Sequence, residues 1–262
     1  MNYLVFDIET IPDTELGRHE LGLAADMDEA DVARAMVFRR MQEAQTEFLP
    51  LYQHRVVAIS VLLRRDDQLR LWSLGRPDSG ERELIQRFFD GIASFRPDLV
   101  SWNGGGFDLP VLHYRALRHA VSAPAYWETG DEIREFRFNN YLNRYHWRHL
   151  DLMDVLSGFQ ARARAGLDAI AGLLGLPGKQ GLAGDQVWPL WLAGGIEQIR
   201  AYCETDVLNT YLVFLRFQQF RGLLDEAGLA AEHARLRAAI GGEQAAHLQE
   251  FLEAWESAEN GR

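Results

Sequence analysis

The stretch Tyr3-Leu4-Val5-Phe6-Asp7-Ile8-Glu9-Thr10 constrains this chain more than any other segment. It is apolar, β-branched and aromatic, the composition of a buried strand, and Pro12 ends it. Two acids interrupt it two residues apart. Successive side chains on a strand point to opposite faces, so Asp7 and Glu9 share one face while Phe6 and Ile8 point into the opposite layer. Two carboxylates side by side in a half-buried strand repel each other, and burial raises the cost. A cation removes that cost, and hard divalent ions prefer oxygen ligands. The first strand therefore reads as half of a metal site.

Downstream, the composition over about Ala24 to Glu47 predicts a helix, with Val32, Met36 and Met41 at helical spacing, inside an insertion spanning 12–50. Arg55 to Leu63 reads as a core strand, and Leu69 to Leu74 as its antiparallel neighbour across Asp66-Asp67. Glu81 to Phe95 is an amphipathic helix with Leu84, Ile85, Phe88, Phe89 and Ile92 on one stripe. Asp98 to Trp102 is a short buried strand, and His149 to Leu152 ends another before a helix. Further helices are predicted over 166–176, stopped by Pro177-Gly178, and over Ile196 to Arg221. The last 40 or so residues are helix formers, read as a tail packed on the domain.

The second half of the site lies in two places. Asn103-Gly-Gly-Gly-Phe107-Asp108-Leu109-Pro110 is a glycine turn running into a helix, since proline fits the first helical turn, and it sets Asp108 at that helix's N-terminus. Tyr202 and Asp206 stand at i and i+4, on one face of a helix. Each piece also has a plainer reading: a solvated edge strand, an Asn-Gly turn, a core tyrosine. A dinucleotide loop is rejected because Leu109 stands where the last glycine of G-x-G-x-x-G belongs. Gly178-Lys179-Gln180 lacks the Ser/Thr and the glycine spacing of a phosphate loop and reads as a helix stop. His146 and His149 have no cysteine cluster with them, so a strand-edge role outweighs zinc binding. Residues 126–148 interleave aromatics with Arg134, Arg137, Arg144 and Arg148, which suits either stacked surface arginines or a path for a nucleic-acid strand.

Together these residues resemble the DEDD exonuclease superfamily. Asp7-Ile8-Glu9 resembles its first motif, Asn103 through Phe107-Asp108 its second, and Tyr202 with Asp206 its third in the tyrosine variant; Ala201 occupies the position where the histidine variant has its His. Ser101-Trp102-Asn103, Phe107-Asp108-Leu109-Pro110 and His149-Leu150-Asp151-Leu152 make the likeness closest to the proofreading exonuclease domain of family-B DNA polymerases, over roughly residues 3–215. The resemblance implies an α/β fold like ribonuclease H, a mixed five-stranded sheet flanked by helices. It implies an exonuclease domain over 1–221 with the 12–50 insertion, and a helical tail over 222–262. It implies 3′-5′ removal of nucleoside 5′-monophosphates by two-metal-ion hydrolysis, with Asp7, Glu9, Asp108 and Asp206 as ligands of two divalent ions, Mg²⁺ or Mn²⁺. Tyr202 is the water-orienting residue in that scheme, and Thr10, Asn103 and Phe107 touch the terminal nucleotide or brace the acids. The partner is a single-stranded 3′ end, DNA ahead of RNA, with room for a replication or repair protein. An exoribonuclease and a catalytically idle nucleic-acid-binding module are the alternatives, the second disfavoured by four intact acids.

Composition bounds these expectations. The hydrophobic fraction of 47% and charged fraction of 25% over 262 residues fit an ordinary globular protein with a sizeable core. One cysteine, Cys203, allows no disulfide framework within the chain, no run of about 18 apolar residues argues for a membrane span, and no signal peptide is visible, so a cytoplasmic setting is the default expectation. A net charge of −11 argues against broad electrostatic attachment to nucleic acid and leaves room for a local basic groove.

Overall fold

A computed structural model describes residues 1–178 and 184–260. In chain order it runs β1 (Asn2–Pro12), α1 (Thr14–Leu21), α2 (Glu29–Ala44), β2 (His54–Arg65), β3 (Gln68–Ser73), α3 (Glu81–Phe95), β4 (Asp98–Ser101), α4 (Asp108–Arg118), β5 (His149–Asp151), α5 (Leu152–Leu156), α6 (Leu167–Leu174), α7 (Val187–Leu192), α8 (Ile196–Phe220), α9 (Glu226–Gly241) and α10 (Ala246–Asn260). The strands form one mixed sheet in the order β3-β2-β1-β4-β5. The pairs β1–β2 and β2–β3 are antiparallel, whereas β1–β4 and β4–β5 are parallel. Helices cover both faces, so this is the α/β, ribonuclease H-like arrangement that the sequence implies. Among the described residues no helix is long and apolar enough to cross a membrane.

The alternation in β1 divides the core. Leu4, Phe6 and Ile8 pack with Phe88 and Ile92 of α3 and with Leu109 and Leu112 of α4. Val5 faces the other way, into a cluster with Leu208, Leu212 and Leu215 of α8. Each such side chain contributes roughly 1.5–3 kcal/mol when fully buried. The middle of α8 is buried all round, from Val207 to Leu215, because the sheet lies on one side of it and α9 and α10 lie on the other. An ion pair fastens this outer layer: Arg64 of β2 donates from Nε and Nη2 to both carboxylate oxygens of Glu232 at 2.8 Å, and the Tyr211 hydroxyl donates to Glu232 at 2.8 Å.

Two features of β1 prepare the site. Its parallel pairing to β4 involves only Tyr3, Leu4 and Val5, so the half that carries Asp7 and Glu9 runs on past β4. Its pairing to β2 slips between Glu9 and Thr10, where Val57 is left without an opposite residue. Such a bulge re-aims side chains and often lies beside an active site.

The insertion differs from its sequence reading. The helix expected over 24–47 is α2, and a second helix, α1, precedes it within the insertion. Asp13 caps α1 by accepting from the Leu16 N–H, and Gly22, at φ 61°, closes it; Asp28 then caps α2 by accepting from Ala30. Gly17 lets the two helices touch, since a Cβ there would lie 2.3 Å from Met36 Sδ. Val32 and Met36 are buried as their spacing suggests, but Met41 is exposed. The stop of α6 is Gly175, left-handed at φ 58°, ahead of the expected Pro177-Gly178. Lys179 and Gln180 of the Gly178-Lys179-Gln180 reading lie outside the described residues.

The segment 126–148 is partly a small core of its own. Tyr126, Phe136 and Tyr141 are buried, and the Arg148 guanidinium sits 4.5 Å over Phe136. Arg144 pairs with Asp154 at 2.6 Å and covers Phe159. His149 is buried and bonded to the Ser101 hydroxyl at 2.8 Å, and His146 accepts from the Asn140 N–H, so both serve local structure.

Candidate active site

The glycine turn between β4 and α4 is built around Asp151. Its carboxylate accepts from the Asn103 N–H at 3.0 Å and the Gly105 N–H at 2.9 Å, which ties the end of β5 to the turn. Asn103 takes a left-handed φ of 63°, a conformation that asparagine tolerates. Gly104 has no alternative: a Cβ would lie 2.3 Å from the Ser101 hydroxyl. The turn delivers Asp108 to the first residue of α4, buried, with Oδ1 accepting from the Ile8 N–H at 3.2 Å. That amide belongs to the part of β1 beyond the reach of β4, so the second acid satisfies a backbone donor on the strand that bears the first two.

The third element is α8, which crosses the opposite face of β1. Cys203 is fully buried beneath Asp7, and its thiol donates to the Asp7 carbonyl at 3.4 Å and to Asp7 Oδ2 at 3.6 Å. Donor atoms of Asp7, Glu9 and Cys203 lie within 4.8 Å of one another, the only such three-donor group among the described residues. Asp7, Glu9, Asp108 and Asp206 all line one open cleft of about 590 Å³, together with Trp102, Asn103, Phe107 and, from the insertion, Phe48.

The electrostatics follow from this crowding. Burial, then the charges of Asp108, Glu9 and Asp206, push the Asp7 carboxyl well above the usual carboxylate range, against an opposing hydrogen bond from Cys203. Burial likewise raises Asp108 to about 7, with Asp151 and Asp206 adding to it and the backbone N–H groups of Asp108 and Ile8 opposing it. The Tyr202 phenol is raised by burial and by Asp206, Glu9 and Asp7, and a hydrogen bond to Asp206 adds to that. Tyr202 therefore keeps its proton throughout the ordinary pH range and donates it to Asp206. The Cys203 thiol is raised by burial and by the same acids, so it too stays protonated without a metal.

The four acids expected from sequence thus meet at one cleft, with Asn103 and Phe107 on its walls. Thr10 is placed differently: its hydroxyl is bonded to His54 Nδ1 at 2.9 Å. The other His54 nitrogen faces the Leu49 carbonyl at 3.2 Å and must donate to it, so neutral His54, its pKa lowered by burial, accepts the Thr10 proton. Phe48 and Asp168 on the cleft wall, and Cys203 buried beneath Asp7, are not among the site residues that the sequence points to. Cys203 adjoins Tyr202 in sequence, but its contact with Asp7 arises only where α8 packs against β1. Phe48 and Asp168 gave no local signal.

Residues 46–255 match the profile of a family described as "Predicted 3'-5' exonuclease related to the exonuclease domain of PolB". The chain belongs to this family. The match runs from before β2 through α9 and into α10 as far as Trp255, while β1 with Asp7 and Glu9 lies ahead of it. Likeness to DNA polymerases recurs among curated proteins. The chain is 26% identical to the DNA polymerase of Archaeoglobus fulgidus over 161 residues, 60% of this chain and 19% of the polymerase. It is 29% identical to the DNA polymerase of Pyrococcus glycovorans over 138 residues, 51% and 18% of the two chains. It is 40% identical to DNA polymerase 1 of Sulfurisphaera ohwakuensis over 63 residues, 23% and 7%. The matched region is thus less than a fifth of each polymerase's length. Membership in this exonuclease family implies a nuclease with a nucleic-acid substrate.

Proposed function

We propose that the protein removes nucleoside 5′-monophosphates from the 3′ end of single-stranded DNA by two-metal-ion hydrolysis. Asp7, Glu9 and Asp206 would hold one Mg²⁺ or Mn²⁺, and Asp7 would be shared with a second, supported by Asp108. The observation that carries this reading is the convergence of four carboxylates on one cleft, with Asp7 and Asp108 driven to retain protons by burial and by neighbouring carboxylates. An oxygen-rich, over-charged pocket is the donor set that hard divalent cations fit. Bound there, such ions supply Lewis acidity toward a phosphodiester and make hydroxide available near neutral pH.

The protein's own groups have distinct parts in this scheme. Asp108 braces the strand of Asp7 and Glu9 through the Ile8 N–H. Tyr202 gives its proton to Asp206, and its phenol oxygen, a possible acceptor, would orient an attacking water. With its pKa raised, Tyr202 is not the base. Asn103 and Phe107 would contact the terminal nucleotide, and Thr10, bonded to His54 and next to Glu9, would brace the acids. The exonuclease unit would comprise residues 1–221 and the 12–50 insertion, with 222–262 as its packed tail and a replication or repair protein as a partner. Kinship to three DNA polymerases favours DNA over RNA. Digestion of end-labelled single-stranded DNA, RNA and mismatched duplex with Mn²⁺ or Mg²⁺ tests the proposal. Single-stranded DNA should shorten fastest, from its 3′ end, releasing 5′-monophosphates. Faster loss of RNA would move the substrate to the exoribonuclease alternative, and cleavage of none would leave the idle binding module.

A further inference from the structure

The insertion places an aromatic ring where the chemistry of the cleft gives no reason for one. Phe48, 56% exposed, stands on the wall of a cleft lined by four carboxylates. Its ring does not hold its own loop. That task falls to the next residue: Leu49 is buried with Val32 and Met36 of α2, and the Leu49 carbonyl bonds to His54. The Phe48 carbonyl is fixed separately by Arg40 Nε at 3.1 Å. The loop is therefore anchored on both sides of the Phe48 side chain, and the ring is left half in water.

Its neighbours make it part of a platform. The Phe48 centroid lies 5.2 Å from the His54 ring and 5.8 Å from Phe107, and His54 meets Phe107 edge-on at 5.2 Å. His54 is held still by Thr10 and Leu49, and Thr10 directly follows Glu9 on β1. At 5.8 Å and an angle of 56°, Phe48 and Phe107 are too close to admit a planar ring between them, so a ligand ring must lie on their open side. Apolar surface beside a phosphate-processing centre suits the one flat, weakly polar part of a nucleotide, its base.

We propose that Phe48 is a base-stacking residue for the nucleotide at the strand end, and hence that the 12–50 insertion is a substrate-binding element selecting ends that carry an unpaired base. The proposal rests on the exonuclease reading above for the identity of its ligand. Stacking of one base on one aromatic ring is worth about 1–3 kcal/mol and tolerates any base. At about 1.4 kcal/mol per tenfold, this is about 5- to 150-fold in affinity.

The test pairs Phe48→Ala and Phe48→Trp with two single strands, one ending in a normal 3′ nucleotide and one ending in an abasic site. Cleavage is followed with Mn²⁺, and binding is read in the same mixture from the quenching of a terminal 2-aminopurine. Phe48→Ala should raise KM for the base-bearing end about 5- to 150-fold, leave kcat within about twofold, and weaken quenching. Phe48→Trp should restore both. On the abasic end, wild type and Phe48→Ala should be alike. If Phe48→Ala lowers cleavage of both ends by the same factor, or changes neither KM nor quenching, Phe48 does not stack on the base. If wild type binds and quenches without cutting, the stacking role stands and the exonuclease reading fails; if it neither cuts nor binds, both fail.

Discussion

Asp108→Asn removes one charge from the cleft while keeping the shape of the side chain, and the amide oxygen can go on accepting from the Ile8 N–H. In the metal-free fold the Asp108 carboxyl sits at about 7, against an ordinary value of 3.8. Between those values the folded chain holds a proton that the unfolded chain has released. Stability therefore falls as pH rises through this window and is lowest above about pH 7. A gap of about 3 at about 1.4 kcal/mol each sets an upper magnitude of about 4 kcal/mol. Asp7, raised in the same direction, shares part of that charge repulsion, so on the order of 2–4 kcal/mol is expected for the single substitution. At roughly 2–4 °C per kcal/mol, metal-free Asp108→Asn should melt about 5–15 °C above metal-free wild type at pH 8, and the two should converge near pH 4. Asp13, Glu204 and Glu232 have lowered pKa values and destabilise the fold as pH falls, so the readout is the difference between variant and wild type, in which they cancel. The assay is thermal unfolding with chelator from pH 4 to 8.5. A variant less stable than wild type at pH 8, or a difference that does not change with pH, would refute the claim that uncompensated carboxylates strain this cleft.

Other perturbations follow from the same geometry. Tyr202→Phe should cut kcat about 10- to 1,000-fold with KM nearly unchanged, the scale of one positioned group; steady-state kinetics with full kcat would remove the hydroxyl from the mechanism. Glu232→Ala strands the buried Arg64 and should cost about 3–5 kcal/mol in denaturant unfolding, whereas a loss under 1 kcal/mol would mean that α9 is not held by this pair. Gly104→Ala drives a methyl into the Ser101 hydroxyl and should lower both melting temperature and activity, while Gly222→Ala, with open space at its Cβ but a φ of 73°, should show only a backbone penalty of about 1 kcal/mol.

Much of this molecule is legible in its sequence because its signals are periodic or local. The α3 stripe gives that helix at its observed bounds, and the apolar alternation of β1 gives both the core division and the shared face of Asp7 and Glu9. Asp108 could be placed because a glycine turn and Pro110 mark a helix start. What escaped is set by tertiary contact. α1 depends on its Asp13 cap and on a glycine fitted against Met36, neither of which disturbs the polar composition around it. The bulge at Val57 is a mismatch between two strands and has no trace in either alone. Cys203 looks like one more core residue until β1 is laid across α8, when its thiol meets Asp7. Phe48 looks like a surface aromatic until His54 and Phe107 are brought beside it.

The claim at the centre is that Asp7 and its neighbouring acids hold the divalent ions that do the cutting. Shortening of 5′-labelled single-stranded DNA, followed in chelator and then with increasing Mn²⁺, tests it most directly in wild type, Asp7→Asn and the turn control Asp66→Asn. Wild type and Asp66→Asn should be silent in chelator and produce a ladder descending from the 3′ end once Mn²⁺ is in excess, whereas Asp7→Asn should stay silent at every Mn²⁺ concentration. A ladder that persists in chelator, or one from Asp7→Asn that matches wild type, would contradict the account.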